Sequence, residues 1–255
     1  LKSQIAKLPH EHRHHLLIVS GMASSNIGLR ELEYSGFPIE GNGSSLKWER
    51  IALSNEQDLL LISGVKTDQA MMRGEEVQAI GIAEWMPASD RSILILPGTH
   101  SKHITFNENK YTGLRNYMTG ELFSVLATNS ILSNSIIESP WTEDRKKAFE
   151  QGLEVGLDHK LNESLLAIRA RDLFGNSTKE DNFYYLSGIL IGDELSYLTE
   201  VNDAICLAAS ASLATLYQTA LERLFEAQKL SFIHGHKLEA ALLAGQKKIM
   251  ILDES

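Results

Sequence analysis

From residue 92 onward, short apolar runs alternate with longer amphipathic stretches. Residues 92–98, SILILPG, are an apolar run broken by Pro97 and Gly98, which predicts a buried strand opening into a polar loop. Residues 102–106 and 110–117 read as two more strands joined by an Asn107-Glu108-Asn109 turn. A helix is expected from Thr119, capped by Thr119 and carrying Glu121 in its first turn. Further helices are expected over 142–158, 162–173 and 185–198, followed by a strand at 204–209, a helix at 211–227, a strand at 230–234 and a helix at 237–244. The first part carries the same alternation in fewer pieces. Residues 5–8 finish a helix, 16–20 and 59–63 are short strands, and 75–85 is a helix. Strands alternating with helices imply an α/β protein.

Composition narrows the class. A chain of 255 residues with 43% hydrophobic and 22% charged residues can bury a large core as one large or two modest domains. A net charge of −9, from 33 acidic against 24 basic residues, argues against a nucleic-acid footprint. No apolar run approaches the roughly 18 residues of a membrane span, and the N-terminus has no signal-peptide pattern, so no membrane partner and a cytoplasmic location are expected. Cys206 is the single cysteine, flanked by Ile205 and Leu207, and reads as a small buried hydrophobe in a reducing compartment. His10, His12, His14 and His15 crowd one segment, but without a second cluster to complete a metal site they read as a solvated loop, and no metal ligand is assigned.

The candidate chemistry begins at the end of the 92–98 strand. Gly98 lets the backbone approach an anion, while the hydroxyls of Thr99 and Ser101, the N–H groups around His100 and the Lys102 ammonium can each meet phosphate oxygens. An ordinary strand-to-loop turn explains the same letters. Thr119 and Gly120 stand at an expected helix N-terminus, a natural anion site. Gly188 and Gly192, four apart in YLSGILIGDEL, fall on one helix face and point to close packing.

In combination, MRGEE, PGTHSK, MTGEL and LSGILIG resemble the 2-dehydro-3-deoxygalactonokinase (2-keto-3-deoxygalactonate kinase) family, with the likeness running over residues 19–249. The resemblance implies two RNase H-like α/β domains of the actin-like, hexokinase-type sugar kinase fold. Residues 1–88 would be the remainder of an N-terminal sugar-acid-binding domain without its opening three strands, and 89–255 a C-terminal nucleotide-binding domain. The first phosphate loop of that fold finds no residues here, and a preceding segment is expected ahead of Leu1. The resemblance also implies ATP and Mg²⁺ as cofactors, a small sugar acid as substrate, and a fold compatible with a homodimer. A carboxylate at the start of the 75–85 helix would be the general base, either Glu75 or Glu76. Acids placed only to complement the helix dipole are the plainer reading of that pair. Arg73 suits a bidentate grip on a sugar-acid carboxylate, and Ser24, Ser25 and Asn26 could hydrogen-bond substrate hydroxyls. A surface ion pair and a polar turn explain those residues equally well. By the same resemblance, Ser210 would stand at the position that faces adenosine, where relatives tend to have Gly, His103 would replace a usual Trp, and Ala70 a usual Asn or Asp. Two other readings remain open at this stage: a non-catalytic sugar-acid or nucleotide sensor, and a phosphatase-like member of the same superfold.

Overall fold

In the computed structural model, which describes residues 2–12, 14–54 and 57–255, the chain is mixed α/β. It runs α1 (Lys2–Ile5), β1 (Leu17–Val19), β2 (Ser35–Gly36), β3 (Ile39–Glu40), β4 (Trp48–Ser54), β5 (Gln57–Ile62), β6 (Val65–Lys66), β7 (Met71–Met72) and α2 (Glu75–Ile82). It continues through β8 (Arg91–Leu96), β9 (Ser101–Asn107), β10 (Lys110–Tyr117), α3 (Thr119–Asn129), α4 (Glu143–Leu157), α5 (Leu161–Leu173) and α6 (Lys179–Leu195). The remainder is β11 (Ala204–Ala209), α7 (Ala211–Leu224), β12 (Leu230–His234) and α8 (His236–Glu254). None of the described helices is long and apolar enough to cross a membrane.

Two compact units divide the chain. Unit 1 takes Leu1–Asp90, Ile104–Arg115 and His236–Ser255, and unit 2 takes Arg91–His103 and Asn116–Gly235. In unit 1, β5 is buried along almost its whole length because it lies between β1, parallel through Leu17↔Leu59, and β4, antiparallel through Trp48↔Ile62. The strand β4 was not anticipated. Its sequence WERIALS mixes charge with apolar residues, and pairing with β5 gives it its place. Helices α2 and α8 meet at two glycines. A Cβ on Gly81 would lie 1.7 Å from the Ala241 carbonyl oxygen and one on Gly245 would lie 1.9 Å from that of Val77. The expected end of the last helix at residue 244 is thus corrected to Glu254, since Gly245 is a packing residue rather than a stop.

In unit 2, β11 is the centre of a parallel arrangement, paired with β8 through Ile205↔Ile93 and with β12 through Ile205↔Leu230. Its sequence AICLAA is apolar throughout because helices or strands cover it on all sides, and Cys206 is fully buried there, its thiol pKa pushed up by that burial. The β9–β10 connection, which belongs to unit 1, places Glu108 and Asn109 at φ 49° and 60°, the two left-handed residues of a tight hairpin. Phe149, Leu153, Tyr184, Ile191 and Tyr217 pack with Ile93 and Ile95 of β8 in one buried cluster.

Three expected helix starts behave differently. Thr142 caps α4 by accepting the N–H of Arg145, as its sequence suggests. The expected 185–198 helix begins six residues earlier, because Thr178 and Asp181 form a capping box ahead of a polar first turn that hides the helical period. At α3 the expected cap is corrected: Met118 is the N-cap, no side chain caps it, and the Thr119 hydroxyl points elsewhere.

Candidate active site

In unit 1, the turn before α2 gathers the residues marked by the sequence. Gly74 takes φ 115° as N-cap, a conformation side chains rarely adopt, and has no side chain to cap with. The two acids fold back in its stead. Both carboxylate oxygens of Glu76 accept the Gly74 N–H, at 2.8 and 2.6 Å, and Glu75 Oε2 accepts the Arg73 N–H at 3.2 Å. Arg73 turns to the loop after β1. Its Nη1 donates to Ser24 Oγ at 2.7 Å and to the Ser24 carbonyl, its Nε donates to the Tyr34 hydroxyl at 3.3 Å, and its guanidinium lies 4.1 Å from the Tyr34 ring centroid. Ser24 is fully buried and donates to the Gly21 carbonyl, and Ser25 donates to the Met22 carbonyl. Both hydroxyls are turned into the loop. Their role in the structure is to shape it, Ser24 also holding Arg73, while Asn26 is exposed.

The two glutamates differ in environment. Glu75 is half-buried, while Glu76 is 1% exposed. Burial raises the Glu76 pKa from 4.5 to about 8, with the neighbouring Glu75 charge adding to it, against the backbone hydrogen bonds and Arg73. In the unfolded chain the same carboxyl ionises near the ordinary carboxylate value. Between those two values the folded protein binds the extra proton, so stability is greatest below the lower value and falls as pH rises toward about 8. Glu76→Gln is therefore expected to flatten that decline. Denaturant midpoints of parent and variant, compared at about pH 5 and about pH 9, should converge at the acid end and favour the variant at the alkaline end by a few kcal/mol; parallel profiles would show that Glu76 stays ionised throughout.

In unit 2, β8 ends into residues 97–100, with Thr99 and His100 exposed. A Cβ on Gly98 would meet nothing closer than the His100 carbonyl oxygen at 3.9 Å, so no protein contact requires glycine there. Gly98 also borders a cavity of about 390 Å³. Lys102 is buried, and its ammonium donates to the His100 carbonyl at 2.7 Å, bracing the loop from inside. His100 pairs with Glu121. Gly120 serves packing, since a Cβ there would lie 2.5 Å from the Gly98 carbonyl oxygen, and the Glu121 N–H donates to the Thr99 carbonyl at 3.0 Å. The start of α3 thus rests on the loop itself.

The cavity runs from Gly98, Thr119 and Gly120 to a wall of Phe123, Trp141, Phe183, Tyr184, Leu216 and Tyr217. A mostly apolar pocket of this size with a polar end is the usual form of a small-molecule site. Ser210 is exposed at the start of α7 and makes no side-chain cap. The expected ligand contacts of Ser101 and Thr119 are revised by geometry: both hydroxyls donate to the buried carboxylate of Glu194. Sequence reading passed over Glu194, as well as Tyr217, Trp141 and Phe183. The available signal for Glu194 was an acid four residues after Leu190 and three after Ile191, on the apolar face of α6.

A sequence profile of the 2-keto-3-deoxy-galactonokinase family matches residues 1–245. A Rhizobium meliloti (strain 1021) protein named for 2-dehydro-3-deoxygalactonokinase is 30% identical over 220 residues, covering 81% of this chain and 70% of its own length. The 2-dehydro-3-deoxygalactonokinase of Escherichia coli (strain K12) is 30% identical over 214 residues, with the same coverage of 81% and 70%. A crystal structure of a Sinorhizobium meliloti protein of the same name superposes with a TM-score of 0.80 at 29% identity, covering 97% of this chain and 82% of that one. The profile and the relatives agree in kind, and the chain belongs to the 2-keto-3-deoxy-galactonokinase family.

Proposed function

We propose that this protein is a kinase that uses ATP to phosphorylate 2-dehydro-3-deoxy-D-galactonate on its 6-hydroxyl. The observation that carries the reading is the cavity of about 390 Å³ that opens beside Gly98 and the start of α3, in a chain of this family. An adenine ring fits its aromatic wall, and the vacant side of Gly98 leaves room for a phosphate to approach the backbone. Thr99 and the loop N–H groups are then the phosphate donors, with Lys102 supplying positive charge beneath them. Bound ATP with Mg²⁺ supplies the phosphoryl group. A Mg²⁺ on the nucleotide would be carried mainly by phosphate oxygens and water. In this reading each unit is one RNase H-like half of the sugar kinase fold, unit 2 taking the nucleotide and unit 1 the sugar acid.

On the acceptor side, Glu75 takes the proton of the attacking hydroxyl. It is the member of the pair that reaches solvent, whereas Glu76 is sealed against the Gly74 N–H and is protonated up to about pH 8. Arg73, preoriented by Ser24 and Tyr34, turns its remaining N–H groups to the substrate carboxylate. Arg73→Lys keeps the charge but loses the fork and the ring contact, and is expected to raise KM for the sugar acid by about 10- to 100-fold with KM for ATP little changed. Steady-state kinetics with each substrate varied in turn checks this.

The relatives named as kinases do not favour the sensor or the phosphatase-like reading. A coupled assay of ATP consumption over a panel of 2-keto-3-deoxy acids tests the proposal as a whole. Turnover strongest with the galactonate derivative is expected; nucleotide binding with no turnover on any acid would return the protein to the sensor class.

A further inference from the structure

Glu194, near the end of α6, holds a buried carboxylate that proton removal and phosphate binding do not use. Its Oε1 accepts from Ser101 Oγ at 2.6 Å and from His103 Nε2 at 2.8 Å. Its Oε2 accepts from the Tyr217 hydroxyl at 2.7 Å and from Thr119 Oγ1. Four donors fill the acceptor sites of one ionised carboxylate. Burial pushes the Glu194 pKa up, but the hydrogen bond and charge of His103, with the bonds from Ser101 and Thr119, hold it below the ordinary range. His103 is itself fixed by Tyr197, whose hydroxyl lies 2.8 Å from Nδ1.

The four donors come from three elements, β9 carrying both Ser101 and His103, and all but His103 border the cavity or its loop. Ser101 follows the loop at the first position of β9, Thr119 begins the helix that abuts the loop at Gly98 and Thr99, and Tyr217 lies in the cavity wall. Cutting any one of them from Glu194 frees the loop against the helix, or the wall against both. We propose that Glu194 is a positioning residue for the nucleotide, setting the distance between the base-binding wall and the phosphate loop; this rests on the nucleotide reading given above. His103 belongs to the same device because it shares Oε1 with Ser101.

The test compares the full-length parent with Glu194→Gln and Tyr217→Phe, measuring KM for ATP, KM for the sugar acid, kcat and thermal midpoint. The amide of Gln presents an NH₂ donor in place of one of the two accepting Glu194 oxygens, so KM for ATP should rise by about tenfold or more while KM for the sugar acid stays within about twofold. Tyr217→Phe removes one donor and should raise KM for ATP by about threefold. Should Glu194→Gln not fold, Tyr217→Phe and Ser101→Ala decide by the same split. A folded Glu194→Gln protein with KM for ATP within about twofold of the parent overturns the inference, and so does an equal rise in both KM values, which marks general loosening. If the parent neither binds nor consumes ATP, the functional reading itself fails; a working parent with an unaffected Glu194→Gln variant refutes only the positioning role.

Discussion

Glu75→Gln is expected to lower kcat by about 10²- to 10⁴-fold, the usual contribution of a positioned general base, with KM for ATP little altered. Gln keeps the volume of Glu75 and an oxygen for the Arg73 N–H, 3.2 Å away in the parent, so the turn ahead of α2 should survive. What it loses is the ability to take a proton. The acid also sits at the positive end of a helix, but that interaction is worth only about 0.3–1 kcal/mol and would move stability rather than turnover. A 10³-fold loss of rate corresponds to about 4 kcal/mol, so catalysis and dipole effects are separable by size. Glu76→Gln is the control, because its carboxyl is buried, bonded to the Gly74 N–H and protonated up to about pH 8. It should keep kcat within about threefold of the parent. Retained kcat in Glu75→Gln, or loss in Glu76→Gln alone, would reverse the assignment of the two acids.

Sequence could not separate these acids because both readings, base and dipole partner, use the same letters at the same helix start. Burial separates them, and burial at Glu76 is set by tertiary packing around α2. Where structure is local, the sequence is readable: the apolar run of β8, its Pro-Gly exit and the β9–β10 turn all follow from short-range rules. The same rules mislead at Thr119, whose hydroxyl meets the usual preference for a cap yet donates to Glu194, a residue 75 positions away. Glu194 was legible only as an acid inside an apolar motif, since its four donors are brought together by folding. At Gly245 a residue that commonly ends helices continues one, because what it answers to is the carbonyl of Val77 and not its own backbone.

Gly188→Ala should destabilise the protein by about 3 kcal/mol or more, against the direction that helix propensity alone would give. Replacing glycine by alanine inside a helix is ordinarily worth about 1 kcal/mol in favour of the helix. Here the new methyl would sit 2.1 Å from the Phe149 carbonyl oxygen and 2.8 Å from the Leu153 nitrogen, both backbone atoms of α4. The contact is reciprocal along the pair: a Cβ on Gly152 would lie 2.1 Å from the Tyr185 carbonyl oxygen, and one on Gly156 2.1 Å from that of Ile189. No rotamer change relieves a clash between a methyl and a main chain, so the two helices must part and loosen contacts along their length. For a protein of this size about 3 kcal/mol lowers the melting midpoint by roughly 6–12 °C, which circular dichroism would register; an unchanged or raised midpoint would show that α4 and α6 do not touch as described. The same parting would carry Glu194 and the Tyr184 and Ile191 cavity wall with α6. In the folded fraction, KM for ATP should therefore rise together with the loss of stability, while Glu194→Gln should raise it without a comparable loss.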